Sequence, residues 1–301
     1  MTNRLELNWK LDGFVDEQRY YCSETTIDPE NLPVAKAVLT GAVRNYVDTD
    51  IEISKTYYVR VSSIRNGVEK LSQQSIITTG DAYTQYVKAL LHFDGDLLDV
   101  VSNTVFSVVG SSANYMAASN ASFGNCLNVA ARFLAQRGSS EYRVGSADFT
   151  FECRFRANNF NKFGGVNPAL FSLSNNHTSS TQELLVNIDS DTKLIGMRVY
   201  ERGYIVNERS IEPLYVDTEY TMAFCRKGSN HYLFINGLLV STKETVAYTL
   251  SNVDVILCIG AASPLSDRAG NFNGLIDEFR FTKGVARYTE NYIPSNIPFS
   301  L

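Results

Sequence analysis

From Leu275 to Phe281 (Leu-Ile-Asp-Glu-Phe-Arg-Phe) apolar and polar residues alternate with one slip. That is the period-two mark of a strand with one buried face. Gly274 and Gly284 punctuate its ends. Such a strand needs neighbours, because an unpaired edge leaves backbone N–H and C=O groups without partners. The matching run is Leu90-Leu91-His92-Phe93-Asp94-Gly95-Asp96, which is expected to lie beside it in one sheet despite the distance in sequence.

The rest of the chain follows the same rule. Short strand patterns fall at 89–93, 104–109, 126–129, 148–156, 168–173, 182–188, 193–199, 203–211, 219–226, 230–236, 254–260 and 274–281, as in a sandwich or jelly roll. Long helical periodicity is absent. Residues 1–80 alternate separately through Leu5–Trp9, Arg19–Cys22, Ala37–Leu39, Tyr57–Val61 and Ser75–Thr79, with turn signals at Asp12-Gly13, Asp28-Pro29, Thr40-Gly41 and Asn66-Gly67. Asn66-Gly67 is a strong hairpin signal. Residues 81–88 lack the Gly, Ser and Pro of a flexible linker. The expectation is an all-β chain: a small sandwich over 1–80, a short connection over 81–88, and a larger sandwich over 89–301.

Charge and cysteine usage narrow the function. A net charge of −5 disfavours a nucleic-acid binder, which needs a basic stripe. No apolar run approaches the ~20 residues of a membrane span, and Met1–Glu6 is polar, so membrane insertion and export are not expected. The five cysteines (Cys22, Cys126, Cys153, Cys225, Cys258) show no CxxC spacing, which reads as reduced thiols in a chain folded in a cytoplasm. The triplets Asn120-Ala121-Ser122 and Asn176-His177-Thr178 then match glycosylation acceptors by chance.

Several segments also carry a resemblance. Leu91–Gly95, Phe123-Gly124-Asn125-Cys126-Leu127-Asn128, Asp148–Phe155, His231–Val240 and Gly274–Phe281 occur in this order, and together resemble laminin-G-like/concanavalin A-like jelly-roll domains. The ending Thr282-Lys283-Gly284-Val285-Ala286-Arg287-Tyr288-Thr289 is similar to that of bacteriophage tail and fibre proteins. Two departures are Asn128–Arg132, where an Asp-Gly pair is usual, and Cys153, which replaces an aromatic residue. Trp9, Thr56–Val61 and Ile77-Thr78-Thr79 resemble a fibronectin type III module, where a Tyr in the position of Tyr57 forms a corner. Trp9 comes so early that the first strand of this fibronectin III-like sandwich is short or missing, leaving an edge open to a neighbouring chain.

Candidate sites are few. A nucleophile–base set, GxSxG, HExxH and a phosphate-cradling loop are all absent. No strand carries the alternating acids of a glucanase, so the chain reads as non-enzymatic. His92 and His231 sit in strand patterns, and a structural role is expected for them and for His177. Phe160, Phe163, Tyr200 and Tyr204 lie in loop-like surroundings rich in Asn, Asp and Gly, where rings either stack on sugar C–H faces or anchor loops. Asp94 and Asp277 fall on one rim if the first and last strands pair. The jelly-roll resemblance implies a structural calcium there; alternatively Asp94 caps a turn and Asp277 pairs with an arginine such as Arg280.

What the resemblance implies is a structural and adhesive virion protein of tail tip, baseplate or fibre, assembled in the host cytoplasm. The N-terminal domain is expected to dock other virion proteins or a second copy in a homo-oligomer, and the jelly roll to face host-surface glycan. A head decoration protein without ligand and a glycan-acting enzyme are the alternatives.

Overall fold

The structure is a computed structural model describing residues 5–52, 55–81, 83–110, 116–121, 124–130, 132–175, 182–201, 203–250, 255–264 and 270–300. Ser122, Phe123 and the Asn176-His177-Thr178 triplet lie outside the described residues. Among the described residues, apart from two single 3-10 turns, Thr84–Tyr86 and Ser140–Tyr142, every regular element is a strand. The protein is all-β. It divides into two compact units, one running up to Thr84 and the other from Gln85 to Phe299.

The first unit contains β1 (Leu5–Asn8), β2 (Glu17–Ser23), β3 (Ala37–Thr40), β4 (Asn45–Asp48), β5 (Thr56–Arg65), β6 (Val68–Leu71) and β7 (Ser75–Thr78). One sheet runs β3-β2-β5-β6 with β7 also on β5, and β1 pairs with β4. Leu5, Tyr20, Ile51, Tyr57 and Val59 form its small core. Asn66 and Gly67 take φ of 51° and 76° between β5 and β6, the left-handed pair that matches the twist of a tight hairpin. The Tyr57 hydroxyl accepts the backbone N–H of Glu52 at 2.9 Å. Trp9 donates its indole N–H to Gln18, whose amide in turn reaches the carbonyl of Val43 at 2.7 Å. Among the described residues β1 has β4 as its one strand partner.

The second unit opens with β8 (Val87–Leu91), β9 (Leu98–Asp99), β10 (Thr104–Val105), β11 (Ser107–Gly110), β12 (Met116–Ala121), β13 (Gly124–Asn128) and β14 (Arg132–Ser139). It continues with β15 (Phe149–Asn159), β16 (Ala169–Asn175), β17 (Gln182–Ile188), β18 (Ile195–Tyr200), β19 (Tyr204–Arg209) and β20 (Glu219–Lys227). β21 (Asn230–Ile235), β22 (Leu238–Glu244), β23 (Val255–Ile259) and β24 (Asn273–Lys283) complete it. Eight strands form one sheet, β12-β13-β24-β15-β20-β21-β22 with β8 on β24; seven form the other, β11-β14-β23-β16-β17-β18-β19. Leu91 faces Phe279 and Leu90 faces Arg280 in antiparallel register, so the ends of the sequence meet as their patterns require. Glu278 has φ of 50° and sits where the pairing with β15 shifts register; the single slip in the alternation is a bulge.

β4, β9, β12, β14 and β22 fall outside the sequence patterns, and two of them show why. In β14, Phe133, Leu134 and Ala135 are consecutively buried, so alternation vanishes. β22 is mostly exposed and follows Asn236-Gly237, a second left-handed turn with φ of 50° and 74°. The side chains of β12 lie outside the described residues. The 104–109 pattern is divided between β10, which pairs with β9, and β11, which pairs with β14.

The core between the sheets is aromatic. Phe151 stacks on Phe281 and Phe171, with centroids 4.3 and 4.4 Å apart. Phe149, Phe151, Cys153 and Phe155 all belong to that core, so Thr150, Glu152 and Arg154 lie on the outer face of the eight-stranded sheet. Residues 284–299 cover much of this face. Tyr288 and Tyr292 stack with centroids 3.5 Å apart and pack on Ala223, Cys225 and Phe234. The Tyr292 N–H donates to the Gly237 carbonyl at 2.9 Å, an approach so close that a Cβ at Gly237 falls 2.0 Å from the Tyr292 oxygen. Beneath the segment Glu152 accepts Arg280 at 2.9 Å and the Tyr288 hydroxyl at 2.8 Å, with Arg287 at 3.4 Å.

Removing one member of a buried ion network strands the others. Glu152→Ala is therefore expected to lower stability by about 3–5 kcal/mol, read as a shift of the urea midpoint. An unchanged midpoint would mean that the network contributes nothing to holding the segment.

Candidate functional site

The outer face of the seven-stranded sheet differs from its counterpart. In β18, Ile195, Met197 and Val199 enter the core, which sends Gly196, Arg198 and Tyr200 outward. The inward residues Phe171 and Leu173 of β16 likewise place Ser172 and Ser174 outside, and Leu184, Val186 and Ile188 of β17 place Leu185 and Asn187 there. Register then aligns these positions. Cys258, Ser172, Leu185, Arg198 and Asn207 form one row across β23, β16, β17, β18 and β19. Asn187, Gly196 and Arg209 form the next row.

Along this face the character changes. At β14 and β23 it is apolar and buried, with Phe133, Ala135, Ile256 and Cys258 packed beside Ala261. At β18 and β19 it becomes polar and accessible: Arg198 and Tyr200 are half-buried, Asn207 is exposed, and Tyr204 is 62% exposed. Tyr200 and Tyr204 meet edge to face, centroids 5.4 Å apart. The Arg198 guanidinium lies 5.9 Å from the Tyr204 ring centre. Gly196 leaves room for the Arg209 side chain, whose Cγ would stand 3.0 Å from a Cβ there. Arg209 is answered by Asp189 at 3.3 Å, and Asp189 is held down to about 2, chiefly by the backbone N–H of Thr192.

Among the described residues four polar side-chain atoms on this face are buried and unpartnered: Ser172 Oγ, Ser174 Oγ, Asn187 Oδ1 and Arg198 Nε. An unmet buried polar atom is costly in a fold, and Ser172, Ser174 and Asn187, at 0%, 4% and 1% exposure, lie beneath the accessible surface.

The four rings singled out in the sequence separate. Phe160 is only 4% exposed and belongs to the core, because the end of β15 turns it inward; it presents no stacking face. Phe163 is 37% exposed and anchors a small hairpin with Val166, without ring contact to the tyrosine pair. Tyr200 and Tyr204 come together on the polar face. Arg198 went unnoticed in the sequence, although the alternation Ile-Gly-Met-Arg-Val-Tyr contains it.

The two acids lie on the other sheet. Asp277 is buried on the outer face beside Cys126, Arg154 and Arg156, and Phe155, Glu219 and Leu275 complete the lining of a small cavity. One of its oxygens accepts the Glu278 N–H at 3.0 Å, while Oδ2 has no hydrogen-bond partner. Burial first, then the charge of Glu278, with Asp94 adding to it, pushes its carboxyl up to about 7. Arg280 does not pair with Asp277, because Glu152 takes it. The turn after β8 is capped by Asp96, whose carboxylate accepts the Leu98 N–H at 3.0 Å. Asp94 instead lies against Gly124, where its oxygen would stand 2.5 Å from a Cβ. Glu278 is committed to His92 at 2.9 Å and to the Phe299 N–H at 2.6 Å. Among the described residues no three His, Cys, Asp or Glu side chains are grouped to hold a metal ion. Two mutually repelling acids and one unsatisfied oxygen still fit a hard cation completed by backbone carbonyls or water.

Comparison with known proteins agrees with this architecture. The profile of the Concanavalin A-like lectin/glucanases superfamily matches residues 136–288, just over half of the 301. No curated protein matches the sequence. Among solved structures, domain 4 of AbnA, a GH43 extracellular arabinanase from Geobacillus stearothermophilus in complex with arabinotriose, aligns with a TM-score of 0.52 at 14% identity, covering 66% of this chain and 93% of that one. Trypanosoma rangeli sialidase aligns at 0.48 and 9% identity over 82% of this chain and 46% of that one. Ruminococcus gnavus IT-sialidase CBM40 bound to alpha2,6 sialyllactose aligns at 0.42 and 15% identity, over 54% and 92%. The arabinanase domain, at 14% identity, shows a likeness of fold alone.

Asp277 also sets a pH dependence. Its pKa is raised from 3.8 to about 7 on folding, so its neutral form suits the native state. That contribution is complete below about pH 4 and is lost as pH rises through about 7. Asp277→Asn, which stays neutral, is expected to gain melting temperature relative to the parent between pH 4.5 and 8; parallel curves over that range contradict the assignment.

Proposed function

The chain belongs to the Concanavalin A-like lectin/glucanases superfamily, and from that premise we propose that its second unit is a non-catalytic glycan-binding module whose binding surface is the β16–β19 face. The observation that carries this reading is the edge-to-face pair of Tyr200 and Tyr204, standing beside Arg198 and Asn207 on a polar face. Aromatic rings stack on the C–H faces of sugars while amides, hydroxyls and guanidinium groups bond the hydroxyls. We favour a binding role over hydrolysis: among the described residues Asp189, at the end of β17, is held by Arg209 and by its own turn, whereas glycoside hydrolysis takes two carboxylates flanking one bond.

The wider setting we propose is a bacteriophage virion, at tail tip, baseplate or fibre. The support is the Thr282–Thr289 ending and the likeness of the first unit to a fibronectin type III module. In that module β1–β4 stands as a two-stranded sheet, and the Tyr57 hydroxyl closes a corner on Glu52. Its β1 edge suits pairing with another virion protein or a second copy. A structural calcium held by Asp94 and Asp277 belongs to the same proposal: when bound, it neutralises two carboxylates that otherwise repel. In the structure the tie between β24 and the end of β8 is the Glu278–His92 pair at 2.9 Å.

Two measurements test this. Tyr204→Ala is expected to weaken binding of the full chain to its host-cell glycan about tenfold, the worth of one stacked ring. Equal binding would remove the tyrosine pair from the site. Calcium is expected to raise the parent's melting temperature at pH 7.5 and to leave that of Asp277→Asn unchanged; an equal response in both would place the ion elsewhere.

A further inference from the structure

The glycan reading leaves one group on the β16–β19 face unexplained. Arg198 makes no hydrogen bond or ion pair among the described residues, and its Nε is buried and unpartnered. Its neighbour Arg209 is lowered by burial first and then by the charge of Arg198, so the two guanidinium groups feel each other. They are not equivalent. Arg209 is answered by Asp189 at 3.3 Å and by the Leu194 carbonyl at 3.3 Å, while Arg198 has only the Tyr204 ring, 5.9 Å away. Among the described residues Arg198 is thus a guanidinium without an ion-pair partner, on a polar face of a chain whose net charge is −5. A guanidinium is a planar cation with a fork of N–H donors, so it stands ready for an anion.

The surroundings say what kind of anion. Ser172 shares the row of Arg198, and Asn187 occupies the next. The Ser172 side chain is fully buried and that of Asn187 nearly so, at 1% exposure, and Ser172 Oγ and Asn187 Oδ1 have no partner. Lying beneath the surface, these two groups cannot reach a ligand, and the accessible neighbours decide instead: the exposed Asn207 amide in the same row and the Tyr204 ring beside the guanidinium. An amide, a fork of N–H donors and an aromatic ring suit a saccharide with an anionic substituent rather than a free inorganic ion.

We propose that this face takes an acidic glycan, with Arg198 as the residue that reads its carboxylate or sulfate. Guanidinium pairs either group through two parallel N–H···O bonds. Arg198 then sets specificity, whereas Tyr204 contributes affinity to any sugar stacked on it. The inference rests on the glycan-binding reading above and adds the class of glycan.

The experiment is binding of the full chain to an immobilised panel of neutral, sialylated, uronic-acid and sulfated glycans, using the parent, Arg198→Gln, Arg198→Lys and Tyr204→Ala. The parent is expected to favour acidic over neutral glycans at least tenfold, with the sialylated, uronic and sulfated arms telling carboxylate from sulfate. Arg198→Gln is expected to lose that preference while its melting temperature stays unchanged; Arg198→Lys, which keeps charge but not the fork, recovers it in part. Tyr204→Ala weakens acidic and neutral glycans alike. Binding to neutral glycans alone, or an acidic preference that survives Arg198→Gln in a folded protein, would overturn the proposal and leave the glycan reading standing. Absence of binding to every member of the panel would overturn both.

Discussion

Glu152 is the interaction on which the second unit depends. It stands on the outer face of the eight-stranded sheet at 2% exposure, yet it accepts Arg280 from its own sheet and Tyr288 from the segment that follows. Without it, that segment would lay tyrosines over two buried cations. With it, the segment becomes a lining for the sheet: Phe299 closes over Arg280 with its ring 4.1 Å from the guanidinium carbon, and Arg287 donates to Thr282 at 2.7 Å. Burial of a charge is tolerable only where the partner is equally fixed. Here each member is fixed by the others.

That closure decides which surface is left for a ligand. The two sheets share a single apolar core, so each has one outer face to offer. One is occupied along much of its width by residues 284–299. The other passes from an apolar, buried half at β14 and β23 to a polar, accessible half at β18 and β19. The same alternation that packs Met197 and Val199 inward holds Arg198 and Tyr200 outward on a rigid strand. A site built this way needs no loop to order before it binds, which limits the entropy lost on association.

Much of the fold was legible in the sequence because period-two patterns report one buried face. Leu275–Phe281 and Leu90–Leu91 could be matched across the chain, and the slip at Glu278 proved to be a bulge. β14 was not legible, because its neighbours bury both faces and erase the period. The site was harder. Tyr200 and Tyr204 were visible as rings in a polar context, but so was Phe160, and only packing distinguishes a ring that ends a strand inward. Arg280 seemed the natural partner of Asp277 at short spacing; register gave it to Glu152, whose place on β15 no local pattern reveals. An unpartnered arginine such as Arg198 is a property of its surroundings in three dimensions, so the sequence carried its position but not its freedom.

The pairing of β8 with β24 has a mechanical consequence. Val87 faces Thr282, so the chain enters the first strand and leaves the last at the same end of the antiparallel pair. Tension applied to both ends of this unit would load the hydrogen bonds one after another, as a zipper, rather than all at once in shear. Residues 284–299 alter that load path: they must be peeled from Phe234, Gly237 and Glu152 before force reaches Lys283. Under pull this unit would thus carry its mechanical fuse in the tail rather than in the sheet.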